Sequence, residues 1–199
     1  MHPVSISPLL AAKLPQGALA SAEEVPLGQT SLSRDTPLHT VVGASIAVCL
    51  IDAVSAWCGL RQVMLPSLAL GHRHDSMLQA DAALEDIFNR LCAAANTNPS
   101  DAAHKRMRAK IFGGADLGAS GLCFSDGAQS IGFVQSWLSS RHIAVAAESL
   151  GGKQRREIVL LPNRGSVYCR ALPLDNAFLS EERSLLTASH QETSKVELF

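Results

Sequence analysis

Twenty consecutive residues, Val41 to Leu60, carry a single charge, Asp52. An apolar stretch of that length either crosses a membrane or lies in the middle of a protein core. Its contents decide between the two. It is rich in β-branched residues, holds Gly43, Ser45 and Ser55, and is interrupted near its middle by Asp52-Ala53-Val54-Ser55, a turn signal. A spanning helix has no use for a turn there, whereas two buried strands need one. The run therefore reads as a strand over His39 to Ile51, a turn at Asp52 to Ser55, and a second strand over Trp57 to Leu65 closed by Pro66. Strands this apolar are covered on both faces. No membrane insertion is expected.

The rest of the chain supplies the cover. Leu78, Ala82, Leu84, Ile87, Phe88, Leu91 and Cys92 recur near a 3.6-residue period and predict a helix over Ser76 to Ala95, after a loop holding His72 and His74. Asp101 to Arg108 reads as an exposed basic segment. A strand over Arg108 to Phe112 ends at Gly113-Gly114. Gly127 to Ser139 reads as a helix and Ile143 to Ala147 as a strand. Glu157 to Leu161 and Ser166 to Ala171 form a hairpin around Pro162-Asn163-Arg164-Gly165. Alternating helices and strands predict an α/β fold in one domain over 38–174. It is preceded by a Pro-, Ala- and Ser-rich arm over 1–37 and followed by a polar tail over 175–199, where Ser180-Glu181-Glu182 suits a helix start.

Charge and cysteine usage exclude several classes. Charged residues make up 18% of the 199, the formal net charge is −1, and no basic stripe with interleaved aromatics occurs, so no nucleic-acid partner is expected. Pro8, Lys13 and Pro15 break any apolar core of a signal peptide, which points to the cytoplasm. Cys49, Cys58, Cys92, Cys123 and Cys169 are odd in number and widely spaced, with no C-x-x-C pair. They read as reduced core thiols, not as a zinc site or a disulfide framework. His72-Arg73-His74-Asp75 is the nearest approach to a metal cluster and lacks a third and fourth ligand. No metal or cofactor is expected. Gly113-Gly114 and Gly151-Gly152 lack the spacing and the lysine of a phosphate loop.

Six strings in order carry a family resemblance: Thr40-Val-Val-Gly-Ala-Ser-Ile-Ala-Val-Cys-Leu-Ile-Asp52, Gly59-Leu-Arg-Gln-Val-Met-Leu-Pro66, Ala80-Asp-Ala-Ala-Leu84, Ala109-Lys-Ile-Phe-Gly-Gly-Ala115, Ile131-Gly132, and Gly151-Gly152 with Arg156. Together they resemble CheD, the chemoreceptor glutamine deamidase family of bacterial chemotaxis. The resemblance implies a thiol-hydrolase-like α/β fold of packed mixed sheets with outer helices. It also implies a chemoreceptor cytoplasmic domain as substrate and a CheC-like phosphatase as a further partner.

Deamidating a glutamine side chain is an acyl transfer. A thiolate attacks the amide carbon, and a histidine activates the thiol and protonates the departing ammonia. In the family pattern Gly-Ser-Cys carries the nucleophile, but Gly43-Ala44-Ser45 stand here. The histidine position holds Gln62. The place six residues before the nucleophile, where the family has a supporting threonine, holds His39. A serine hydroxyl is far less acidic than a thiol, and a glutamine cannot carry a proton. The resemblance thus marks Ser45, Gln62 and His39 as the catalytic positions, all substituted, and predicts weak or absent catalysis, with a non-catalytic binding module as the alternative. In a straight strand Ser45 and His39 would lie about 20 Å apart. A sharp bend at Gly43 would let them pair as serine and histidine. Cys49 lies about 13 Å further along the strand from Ser45 and reads as core. Gly43, Gly113, Gly114, Gly151, Gly152 and Arg156 are the candidate substrate contacts. For the glycines a turn, and for Arg155 and Arg156 a solvated face, is the alternative reading.

Overall fold

The long apolar run folds as strands in the computed structural model, which describes residues 14, 22–65, 73–117, 127–173, 175, 178 and 180, with backbone alone for 73–76. The strands are β1 (Glu23–Glu24), β2 (Thr30–Ser33), β3 (Leu38–Val42), β4 (Ile46–Asp52), β5 (Cys58–Val63), β6 (Met107–Gly113), β7 (Ala144–Leu150), β8 (Arg155–Leu161) and β9 (Ser166–Leu172). The helices are α1 (Arg73–Ala94), α2 (Asp101–Arg106) and α3 (Gly127–Ser140), with a 3-10 turn at Pro162–Arg164 between β8 and β9. One sheet has the order β1-β3-β8-β9 and the other β2-β5-β4-β6-β7. Both are mixed: β1 runs parallel to β3 and β6 parallel to β7, and every other pairing is antiparallel.

Period-two alternation along β4 explains why so apolar a strand is needed. Ile46, Val48 and Leu50 face the helices, packing with Leu84, Ile87 and Leu91 of α1 and Val134, Trp137 and Leu138 of α3. Ala47 and Cys49 face the other way, with Cys58 and Leu60 of β5 and Phe112 of β6. There they meet Leu38 and Val42 of β3 and Ile158 and Leu160 of β8. The order of layers is helices, five-stranded sheet, four-stranded sheet. On the outer face of the latter, Val159, Leu161 and Tyr168 pack with Leu14.

Two expectations are corrected and a third segment gains a defined structure. The strand read over His39 to Ile51 is two strands in different sheets, because the chain leaves one sheet after Val42 and enters the other at Ile46. Residues 101–106, within the segment read as basic and exposed, form a short helix with the Ser100 hydroxyl capping the Ala103 amide. Residues 23–33, read as part of the arm, supply β1 to one sheet and β2 to the other, so strands start ahead of residue 38. Pro66, His72, Cys123, the side chains of His74 and Asp75, and Glu181 with the tail beyond it lie outside the described residues. Among the described residues no helix is long and apolar enough to cross a membrane.

Asp52, the one charge in the run, closes the turn from β4 to β5. Its carboxylate accepts from the Val54 amide at 3.0 Å and the Ser55 hydroxyl at 2.7 Å. It also takes a two-pronged bond from Arg106, at 2.8 Å to Nε and 2.6 Å to Nη2. Burial pushes this carboxyl up, but the Arg106, Ser55 and Val54 bonds outweigh burial and hold it below the ordinary carboxylate value. Asp52→Ala leaves Arg106 without its carboxylate, with Thr97 Oγ1 as its remaining hydrogen-bond acceptor, and is expected to cost about 3 kcal/mol in a urea melt. A depressed folded pKa stabilises above the unfolded value of 3.8 and loses that contribution as pH falls through the folded value. The difference between parent and variant should therefore shrink only in that acid window and stay flat at neutral pH.

Candidate functional site

The crossing between the two sheets builds the site. Residues 43–45 carry the chain from β3 to β4, and two backbone bonds pin them: Gly114 N–H to Ser45 O at 3.0 Å and Ala115 N–H to Gly43 O at 2.8 Å. Ser45 has the parity of Ala47 and Cys49, so its side chain points between the sheets. Gln62 has the parity of Leu60 and Cys58, and Thr40 that of Leu38 and Val42. Three polar side chains, one from the crossing and one each from β5 and β3, thus meet where the intersheet core ends. They are nearly inaccessible, at 2% for Ser45, 8% for Gln62 and 1% for Thr40.

Their hydrogen bonds form a closed set. The Ser45 hydroxyl donates to Gln62 Oε1 at 3.0 Å. Gln62 Nε2 donates to Thr40 Oγ1 at 2.5 Å and to the Val25 carbonyl at 3.2 Å. The Thr40 hydroxyl donates to the same carbonyl at 2.7 Å. A backbone carbonyl can only accept, so it fixes the Gln62 amide with its nitrogen toward Val25 and its oxygen toward Ser45. That oxygen is far too weak a base to take the Ser45 proton at neutral pH. The network orients Ser45 and holds it neutral.

His39 stands elsewhere. It neighbours Thr40 on the strand and so faces the opposite side of the sheet, with Nε2 at 3.4 Å from Glu157 Oε1. Arg170 donates to the other Glu157 oxygen at 3.1 Å. Burial lowers the His39 pKa, and the Glu157 charge and hydrogen bond raise it by less. The bend that would have paired His39 with Ser45 does occur at 43–45, but it turns the intersheet face toward Ser45. The residue brought to the network is Thr40, five positions before Ser45. Cys49 is fully buried, and burial drives its thiol well above the ordinary range, while Cys58 is pushed up to about 12.

The candidate glycines lie behind the site. Gly113 has φ +119°, and a Cβ there would overlap the Ser45 carbonyl oxygen. Gly151 N–H donates to Gly113 O at 2.9 Å, and Gly152 O accepts from Asp116 N–H at 2.7 Å. Arg156 is no solvated cation, since it donates to Gly151 O at 2.7 Å and to Ser149 Oγ at 3.1 Å. These residues buttress the turn that carries Ser45.

In front of the network is a cavity of about 200 Å³. It is lined by Ser45, Gln62 and Thr40, by residues Glu24 to Leu27, and by Val41, Arg155 and Phe178. Val25, Thr40 and Phe178 escaped the sequence reading, which weighed Arg155 as a receptor contact against a solvated face. Thr40 could not be told from His39 without knowing where the chain changes sheets, and Val25 acts through its carbonyl and leaves no side-chain signal. Among the described residues no three His, Cys, Asp or Glu side chains gather to hold a metal ion.

Comparison with known proteins bears on what this arrangement descends from. The family model for CheD, described as chemotactic sensory transduction, matches residues 64–171, more than half of the chain. The chain belongs to the CheD family. It is 30% identical over 183 residues to a probable chemoreceptor glutamine deamidase CheD 2 of Dechloromonas aromatica, covering 86% of this chain and 90% of that protein. It is 30% identical to a probable chemoreceptor glutamine deamidase CheD of Burkholderia vietnamiensis (84% and 69% covered) and 27% identical to one of Saccharophagus degradans (83% and 78%). The CheD model match starts two residues past Gln62, so it rests on the scaffold behind the network rather than on the network.

Proposed function

We propose that this CheD-family protein takes part in chemotaxis by binding a chemoreceptor cytoplasmic segment at the cavity over Ser45, without hydrolysing the receptor glutamine. The observation that carries the reading is the closed Ser45–Gln62–Thr40 set, which contains no group able to accept a proton at neutral pH. The CheD relatives named as deamidases supply the substrate class, and the family pattern places a cysteine and a histidine where Ser45 and Gln62 stand. Loss of a nucleophile with its base removes on the order of 10⁶-fold in rate. Binding uses other contacts, and a groove retains them when its chemistry goes. The protein acts on the cytoplasmic side, where such receptor segments lie, and a CheC-like phosphatase is a second partner for the same surface.

The test follows side-chain amide conversion by mass spectrometry in a receptor fragment with unmodified glutamines. The native chain and Ser45→Ala should be equally silent, while both bind the fragment. Conversion by the native chain that disappears in Ser45→Ala would establish a serine-based enzyme and overturn the proposal.

A further inference from the structure

Beyond β9, Pro173, Asp175 and Phe178 gather around Arg155, and Phe178 lines the cavity. Arg155, the first residue of β8, donates through Nε to the Pro173 carbonyl at 2.9 Å and through Nη2 to Asp175 Oδ2 at 2.5 Å. The other Asp175 oxygen accepts from the Phe178 amide at 2.8 Å, a side-chain cap that sets where the Phe178 ring falls. That ring lies under the Arg155 guanidinium, 5.1 Å from ring centroid to guanidinium carbon. Arg155 and Phe178 line the same cavity as Ser45 and Gln62.

We propose that Asp175 and Phe178 form a strap across the mouth of this cavity, latched by Arg155. A partner segment that offers a carboxylate beside an apolar side chain displaces it to reach Ser45. The inference rests on reading the cavity as the docking site for a receptor segment, and it names the regulation of that site. The strap presents to Arg155 the chemistry a partner must supply, a carboxylate for the guanidinium and an apolar group for the space beneath it. The latch is weak by construction. Asp175 is about half exposed, so water and salt screen the ion pair. A contact of that strength biases the site toward closure and yields to a partner with more contacts.

The experiment uses the full chain with Ser45→Cys as a reporter. Iodoacetamide alkylation of residue 45 is followed peptide by peptide, so the native cysteines do not interfere. Relative to this parent, Phe178→Ala should react about ten-fold faster and Asp175→Asn about three-fold faster. Phe178→Leu, which keeps the apolar plug, should stay near the parent rate. Added salt should speed the parent but not Asp175→Asn. Equal rates in the parent, Asp175→Asn and Phe178→Ala would overturn the strap.

A second arm measures receptor-fragment affinity, which should rise in the two opened variants because the competent state is more populated. Faster alkylation with no fragment binding by any variant would leave the strap standing and remove the receptor reading. Unchanged alkylation with fragment binding intact would do the reverse.

Discussion

Ser45→Cys combined with Gln62→His is expected to convert receptor glutamine to glutamate at least about 10³-fold faster than the native chain. The scaffold for this exchange is in place. Residue 45 is pinned through Gly114 and Ala115, and the Val25 carbonyl and Thr40 hydroxyl wait for a donor from position 62. A histidine there would give its N–H to that pair, which leaves its other ring nitrogen free toward residue 45. The thiolate then attacks the amide carbon, and the imidazolium protonates the leaving nitrogen, so ammonia departs and a thioester forms. Water releases glutamate and restores the thiol. Each single variant supplies half of this pair. Ser45→Cys leaves the thiol beside a neutral amide, and Gln62→His leaves a hydroxyl as nucleophile. Both should stay within about ten-fold of the native chain. Mass spectrometry of the receptor fragment reads all four proteins. A double variant that binds the fragment yet stays silent would show that the missing chemistry is not owed to residues 45 and 62.

Gly113→Ala is expected to destabilise the protein by about 3 kcal/mol in a denaturant melt, the largest effect foreseen for so small a change. Two costs coincide. The backbone at φ +119° is open to glycine and disfavours any L side chain. The new methyl would also collide with the Ser45 carbonyl oxygen, a backbone atom with no rotamer to escape into, and would sit 3.1 Å from Val42 Cγ2. The displaced segment is the one that orients Ser45, so receptor binding should fall along with stability. Gly132→Ala is the matched control. It lies in α3 with nothing within 4 Å of the added carbon, and should stabilise by about 0.5–1 kcal/mol. If both substitutions cost the same, the close approach at Gly113 is not what holds the crossing together.

These two glycines also show how far the sequence could be read. Gly113-Gly114 after an apolar strand announces a turn whichever fold contains it, and the turn is there. That Gly113 backs onto the carbonyl of Ser45, 68 positions away, depends on β6 pairing with β4, with Gly113 opposite Ile46. Local sequence does not encode that register. Arg156 teaches the same lesson. Its neighbours in sequence make it look like a surface cation, but the turn at Gly151 folds a carbonyl onto it.

The sequence by itself determined the chemical inventory and the layers. The run from Val41 to Leu60 demanded strands buried on both faces, the spacing of Leu84, Ile87 and Leu91 demanded a helix to cover one of them, and Asp52-Ala-Val-Ser demanded a turn between them. These follow from short-range periodicity and backbone sterics, which are written residue by residue. It also determined that no cysteine stands at position 45 and no histidine at position 62. Only the tertiary structure decided which neighbours those two residues have. The chain changes sheets at 43–45, and that break resets the alternation, so Thr40 and not His39 shares the intersheet face with Ser45. A one-residue offset in a strand moves a side chain to the opposite face. Whether a crossing lies within an apolar run depends on how two sheets pack, and no window of the sequence contains both sheets.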